Sequence, residues 1–152
     1  MQDFEMTLYI KADPPAVWDA IVGDEGNRAV MHGAVLRGDL EPGGRFEYVA
    51  PGEGGREIVQ VYGEVLQAAP GGILQLIEHP GPVHRDDHAD LTSRVTWRLE
   101  PAGVALTRLT LTNDEWSAEH PAQADAAETW PRVLSSLKSL IETGEAIPPH
   151  HA

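Results

Sequence analysis

The sequence predicts an α+β fold in which a strongly curved antiparallel sheet of six to seven strands packs around one long C-terminal helix. Three observations support this prediction. Two short helical segments follow the first strand, turn-separated strands fill the middle of the chain, and one continuous apolar stripe marks its last third. A helix with a single apolar stripe needs an apolar surface to cover it, and strands that alternate apolar and polar residues offer one such face.

The first third of the chain begins with a predicted strand over residues 4–12, which alternate loosely. Asp13 then supplies a capping carboxylate, and the two prolines after it suit the first helical positions. A short helix is therefore predicted to run to Gly23. A second short helix or irregular segment is expected over residues 27–31, and turns and strands follow from residue 35 onward.

The middle of the chain is predicted to be a meander of strands separated by Gly- and Pro-rich turns. The strands are predicted over residues 45–49, 57–68, 73–79, 93–100 and 104–113, with turns at 42–44, 51–55, 70–72 and 101–103 and a polar, His-rich loop at 80–90. We expect Val59, Val61 and Val65 to share one face of their strand. Glycines at positions 43, 44, 63, 71, 72 and 103 lie at turns or could supply the bends that a curved sheet requires.

The last third is predicted to form the long helix. Its apolar side chains recur at i, i+3, i+4, i+7, i+10 and i+11, which makes one stripe of Trp130, Val133, Leu134, Leu137, Leu140 and Ile141. Gly144 is a typical C-terminal stop, and Pro131 is expected to start or kink the main segment, although residues 122–128 also favour a helix. One domain is predicted over residues 1–147, followed by a flexible tail over residues 148–152.

Composition and charge exclude several classes of protein. The 152 residues include 11 Lys and Arg against 24 Asp and Glu, a net charge of −13 with neutral His, which argues against nucleic-acid binding and against anionic membrane surfaces. The absence of cysteine excludes disulfides, thiolate nucleophiles and Cys-type zinc sites. With no basic leader at the start and no apolar run of about 20 residues, the sequence predicts a cytoplasmic protein without membrane insertion.

Five segments carry a resemblance to a known family, in order along nearly the whole chain. They are residues 10–21 (IKADPPAVWDAI), 39–46 (DLEPGGRF), 63–66 (GEVL), 107–112 (TRLTLT) and 130–144 (WPRVLSSLKSLIETG). On these segments the chain resembles the SRPBCC (START-like) superfamily and, within it, the family related to the activator of the ninety-kilodalton heat-shock-protein ATPase (AHSA). Thr129 departs from the family pattern, in which glycine usually precedes this tryptophan.

The resemblance implies a helix-grip fold with a deep, mostly apolar cavity between the sheet and the C-terminal helix. It also implies binding of lipids, sterols, hormones or polyketides, with cyclisation, dehydration or hydrolysis in some members and co-chaperone domains among others. We expect no cofactor. The residues expected to line the ligand cavity or its mouth are Met31, His32, Phe46, Tyr48, Val61, Leu76, Glu78, Val95, Trp97, Leu109, Trp116, Trp130, Leu134 and Leu137.

Polar groups decide whether such a cavity can do chemistry. Tyr48 faces the predicted cavity, where its hydroxyl could orient a ligand. The strand over residues 73–79 directs either Glu78 or His79 inward, depending on its register, which the pattern leaves open. If Leu76 points inward, Glu78 follows it, and a half-buried carboxylate would have a raised pKa and could act as an acid or base.

Two further features lie in loops. His84 and His88, with the aspartates around them, have the ligand types that zinc uses, but two histidines four residues apart share a face only on a helix. Because turn-forming residues surround them, we interpret this segment as a solvated loop and predict no metal site. Trp116 follows the last strand, where it either caps the cavity mouth or packs on the start of the helix.

The leading hypothesis is a protein that binds a hydrophobic small molecule, such as a lipid, sterol or polyketide-like compound, in the cavity. One alternative is an enzyme of cyclase, dehydratase or hydrolase type that uses the same cavity, with catalytic residues that the sequence does not identify. Another is a co-chaperone-like domain that binds a protein partner through its acidic surface. Both a monomer and a homodimer are compatible with the sequence.

Overall fold

The computed structural model describes residues 3–147. In chain order its elements are β1 (Phe4–Ile10), α1 (Pro14–Val22), α2 (Asp24–Val30), β2 (Val35–Gly38), β3 (Arg45–Pro51), β4 (Glu57–Ala69), β5 (Ile73–Pro80), β6 (Ser93–Gly103), β7 (Leu106–Asp114) and α3 (Gln123–Thr143). The seven strands found in these residues form one antiparallel sheet in the order β1-β7-β6-β5-β4-β3-β2. This confirms the predicted fold class. The tail predicted over residues 148–152 lies outside the described residues.

The two short helices begin where the local chemistry favours a helix start. Asp13 caps α1, since its side-chain oxygen accepts a hydrogen bond of 3.1 Å from the main-chain N–H of Ala16. Helix α2 begins at Asp24, earlier than predicted, because acidic side chains in its first turn favour the positive end of the helix dipole. Gly26 lets the two helices pack closely, since a Cβ there would lie 2.1 Å from the carbonyl oxygen of Ala20.

Two β-bulges bend the long strand β4. Its pairing with β3 skips Gln60, so Val59 and Val61 pair with adjacent residues of β3 and lie on opposite faces of the sheet. The prediction that both share one face with Val65 is therefore wrong for Val59, because an alternating pattern does not reveal an inserted residue. The second bulge skips Leu66 in the pairing of β4 with β5.

The hairpin between β6 and β7 turns later than the sequence predicted. Strand β6 continues through residues 101–103, which were expected to form the turn, and the chain reverses at Val104 and Ala105. A shift in register between Pro101 and Gly103 accommodates the extension, and Ala105 takes a left-handed conformation with a φ of 48°.

Helix α3 is continuous, so Pro131 lies inside it and does not start it. The proline removes one helical hydrogen bond, whose acceptor would be the carbonyl of Ala127, and water can reach this carbonyl because Ala127 is exposed. Gly144 ends the helix as predicted, with a left-handed φ of 85° and an N–H that donates to the carbonyl of Leu140 at 2.8 Å. Of the helices in residues 3–147, none is long and apolar enough to span a bilayer.

Apolar side chains from one face of the sheet and from α3 fill the middle of the interior. Leu134 and Leu137 of α3 are fully buried in the same core cluster as the inward residues of the strands. The alternation predicted for β6 is confirmed, since Val95, Trp97 and Leu99 are at most 4% exposed. The interior is therefore closed along most of the length of the helix.

Candidate functional site

One end of the space between the sheet and α3 stays open as a pocket of about 340 Å³. Its floor comes from the ends of β4 to β7, and its cover comes from residues 116–122 and the first two turns of α3. Its lining includes Val61, Glu78, Ser93, Asn113, Trp116 and Trp130. This volume is at the small end of the range of about 300–1,000 Å³ typical of ligand sites.

The register of β5 places Glu78 on the pocket side of the sheet. Glu78 pairs with Gly63 of β4 on one side and with Ser93 of β6 on the other. Its side chain lies on the same face of the sheet as Leu76, which is fully buried in the core. His79 also borders the pocket, but its ring stacks at 4.8 Å on Tyr62, which lies on the opposite face of the sheet. Of the two alternatives, the inward-facing residue is therefore Glu78.

The Glu78 carboxyl group has an unusual electrostatic environment. Among residues 3–147, no group forms a hydrogen bond or ion pair with it. Its oxygens are open to the pocket, since Glu78 is partly exposed and no buried polar side-chain atom of these residues lacks a partner. Burial raises the pKa of Glu78 from 4.5 to about 7, because the surrounding protein disfavours the charged form. The pKa of the buried Tyr48 hydroxyl is raised as well, first by its own burial and then by the charge of Glu78. Near neutral pH, Glu78 can therefore both give and take a proton.

Gly63 of β4 is the cross-strand neighbour of Glu78 at a point where the two strands approach closely. A Cβ at this position would lie 1.8 Å from the carbonyl oxygen of Ile77 and 3.1 Å from the ring of Phe46. No side chain fits there, because the main chain of β5 passes too close. Of the two cross-strand neighbours of Glu78, the small Ser93 lines the pocket and Gly63 does not.

Asn113 fixes the two tryptophans that line the pocket. The Nε1–H group of Trp130 donates to Asn113 Oδ1 at 3.0 Å, and that of Trp116 donates to the main-chain carbonyl of Asn113 at 3.2 Å. The side-chain amide of Asn113 in turn donates to the carbonyl of Arg94 at 2.9 Å. Trp130 also meets the buried Trp97 edge to face at 5.6 Å. Since both indole N–H groups are already bonded, the tryptophans offer carbon surfaces to the pocket.

The segment that covers the pocket is tied to the sheet. Ser117 donates its main-chain N–H to the carbonyl of Thr92 at 2.9 Å, and its hydroxyl accepts from the N–H of Thr92 at 3.0 Å. His120 lies edge to face with Trp116 at 4.9 Å. Burial, followed by the positive charge of Arg85, lowers the pKa of His120, which keeps its ring neutral near pH 7. The rim of the pocket therefore carries an uncharged histidine.

The pocket brings together fewer of the predicted residues than the sequence suggested. Val61, Glu78, Trp116 and Trp130 line it. The remaining inward residues pack as core at no more than 3% exposure: Phe46, Tyr48, Leu76, Val95, Trp97, Leu109, Leu134 and Leu137. Met31 packs against this core, and His32 is exposed with a φ of 55°. The expected deep cavity is thus a smaller pocket at one end, because side chains fill the centre.

Sequence reasoning missed Ser93 and Asn113, although the pattern contained a signal for both. Ser93 lies two residues before Val95 on β6, and Asn113 lies two residues after Leu111 on β7. Each is therefore a polar residue on the inward face of its strand. Both are nearly fully buried, at 4% and 3% exposure. A polar residue at an inward position of a strand is informative, since buried polar groups need a partner or a function.

The two histidines with zinc-like spacing have separate partners. His84 Nε2 lies 2.7 Å from Gln60 Oε1, and His88 Nδ1 lies 2.5 Å from the hydroxyl of Tyr62. In the part of the chain that the structure describes, no group of three or more histidines and carboxylates is placed to hold a metal ion. These side chains tie the loop after β5 to the outer face of the sheet.

A curved sheet that wraps around one C-terminal helix and leaves a pocket at the start of that helix defines a helix-grip domain. The family model described as activator of Hsp90 ATPase homolog 1-like protein matches residues 11–142. The chain therefore belongs to this family, which confirms the resemblance found in its motifs. No sequence among the curated proteins matches the chain.

Several solved structures share the fold. Protein MLL2253 from Mesorhizobium loti superposes with a TM-score of 0.70 at 21% identity and covers 93% of this chain and 97% of that chain. The Aha1 dimer from Colwellia psychrerythraea gives 0.67 at 18% identity, with 96% and 100% covered. DynU16, a protein of the dynemicin biosynthetic locus, gives 0.68 at 18% identity, with 96% of this chain and 49% of that chain covered. At these identities the likeness establishes the fold alone.

Proposed function

We propose that this protein binds a hydrophobic small molecule in the pocket between Trp116 and Trp130. The observation that carries the proposal is the pocket itself, which opens between the sheet and α3 and presents aromatic carbon surface from two fixed indoles. Burial of apolar ligand surface would supply most of the affinity, and the few polar groups of the floor would set the orientation. The volume suits a compact ring system or a short chain better than an entire sterol.

The comparisons are compatible with this proposal. One structural neighbour comes from the dynemicin biosynthetic locus, so a polyketide-like ligand is among the classes worth testing. Among these classes, a small aromatic compound suits the pocket best, because Trp116, Trp130 and Val61 present flat and apolar surfaces to it.

The experiment that tests the proposal measures melting temperature against a panel of small aromatics, short fatty acids and sterols. Trp116→Leu should abolish the stabilisation by a binding compound, whereas Trp18→Leu should retain it. These two variants are matched, because Trp18 of α1 and Trp116 are 7% and 8% exposed but only Trp116 lines the pocket. No stabilisation by any class of compound, or equal loss in both variants, would contradict the proposal.

A second candidate function is an enzyme that uses Glu78 as a general acid or base. The observation that favours it is a carboxyl group on the pocket floor with a pKa of about 7 and no protein partner among the described residues. Mass analysis of each bound compound after incubation separates the two functions. A binding protein returns the compound unchanged, whereas an enzyme converts it and loses this ability in Glu78→Gln.

A further inference from the structure

The charges around the pocket are one-sided. Among the described residues that line it, Glu78 and Asp125 are acidic, and no lysine or arginine is present. The guanidinium of Arg85, which influences the rim histidine, is already paired with Asp87 at 2.8 Å. A negatively charged ligand would therefore meet no free positive charge in this pocket. The whole chain adds to the effect with a net charge of −13.

The Glu78 carboxylate has free capacity to accept hydrogen bonds in the pocket. An ionised carboxylate can accept about four hydrogen bonds. Its neighbours across the sheet are Gly63, which has no side chain, and Ser93, which has one hydroxyl group. Within residues 3–147 no donor is bonded to it. Because Glu78 is partly exposed and no buried polar side-chain atom of these residues lacks a partner, its carboxyl oxygens are open to the pocket, where a ligand can donate to them.

The two tryptophans supply a complementary surface for a positive charge. Asn113 accepts the N–H groups of both Trp116 and Trp130, so neither indole offers a hydrogen-bond donor to a ligand. What remains is the carbon surface of each ring, whose faces carry partial negative charge and attract cations. A pocket lined by a carboxylate and by two indole rings suits an ammonium group and repels a carboxylate or phosphate.

We propose that the pocket selects ligands that carry a primary or secondary amine, bound as the ammonium ion against the Glu78 carboxylate with the apolar body between Trp116 and Trp130. The proposal rests on the proposed function, since it names the ligand class of the same pocket. It adds that the polar end of the ligand is positively charged and that Glu78 determines this preference.

Calorimetric titration with three matched naphthalenes tests the inference at about pH 8, where Glu78 is mostly ionised. The probes are naphthylmethylamine, naphthylmethanol and naphthoate, which share the ring and differ in the charge of the polar end. We expect the amine to bind the wild-type protein at least about tenfold more tightly than the alcohol, and the acid to bind most weakly. In Glu78→Gln the difference between amine and alcohol should fall to about twofold or less.

The matched control is Glu64→Gln, which makes the same change in net charge. Glu64 is exposed on β4 next to Gly63 and points to the opposite face of the sheet. This variant should keep the full preference for the amine. Equal binding of amine and alcohol to the wild type, or an unchanged preference in Glu78→Gln, would overturn the amine inference while leaving small-molecule binding intact. Failure of all three probes to bind would overturn both.

Discussion

The two ends of the space between the sheet and α3 differ in what fills them. Along the second half of α3, Leu134 and Leu137 are fully buried in the apolar core, and the one inward polar group on β7 there, the Thr107 hydroxyl, is bonded to the carbonyl of Ala12 at 2.8 Å. Where α3 begins, polar groups collect on the floor and a pocket remains. The comparison shows that one sheet face can be filled by core side chains at one end and leave an open pocket at the other.

The largest effect is expected at the closed end. Leu134→Ala removes a fully buried side chain from the centre of the core and should lower the free energy of unfolding by about 2–5 kcal/mol. Urea denaturation measures the loss. Leu140→Ala is the control on the same helix, and it should cost less because Leu140 is only partly buried. A loss below about 1 kcal/mol for Leu134→Ala would show that the centre is not tightly packed.

At the open end, a substitution of Glu78 should have the opposite sign. The unfolded chain ionises Glu78 near its ordinary pKa of 4.5, whereas the folded protein ionises it near 7. The folded state therefore holds the proton more tightly, and wild-type stability falls as pH rises through this window and stays lower above it. Between about pH 4 and about pH 8 the wild type should therefore lose free energy of unfolding that Glu78→Gln keeps. The difference between the two proteins should shift in favour of Glu78→Gln by up to about 3 kcal/mol over this range.

Urea denaturation at the two pH values measures this difference. Glu64→Gln, on the outer face of the sheet, should show no comparable change with pH. If the stability difference between Glu78→Gln and the wild type is the same at both pH values, Glu78 is not buried in the way that the structure indicates.

The smallest effects on stability are expected for two buried polar residues of β7, one at each end, and only one of them should affect ligand binding. Asn113→Ala leaves the Trp130 N–H without its acceptor and should cost about 1–3 kcal/mol. Thr107→Val removes the inward polar group at the other end of β7 at a similar or smaller cost. Only Asn113→Ala should weaken ligand binding, as measured by calorimetry. Equal affinity in both variants would mean that the Asn113 side chain does not position Trp130 for binding.

Much of the fold could be predicted from local patterns, because caps and stripes depend on neighbouring residues. Asp13 caps the first helix and Gly144 ends the last one, as their side chains and backbone preferences require. The apolar stripe of α3 and the alternation of β6 correctly predicted which face of each element packs in the core. The bulge at Gln60 could not be predicted, since it depends on how β3 and β4 pair and not on the sequence of either strand alone.

The site was harder to predict than the fold. Residues 73–77 are apolar at four of five positions, so the pattern did not fix which face of β5 carries Glu78, and the pairing with Gly63 and Ser93 decides it. The size of the pocket depends on packing between distant segments, which is why buried residues such as Leu109 were expected at the cavity wall. Ser93 and Asn113 could have been found from their inward register.

Gly63 limits which residues the sheet beside the pocket can carry. Since any larger residue there would collide with the main chain of β5, the close pairing of β4 with β5 beside Glu78 requires glycine. Thr129 and Asp125 belong to the opposite wall, are exposed, and lie on a helix that tolerates many side chains. Substitutions on the helical wall can therefore reshape the pocket, whereas a substitution of Gly63 would disturb the sheet beside Glu78.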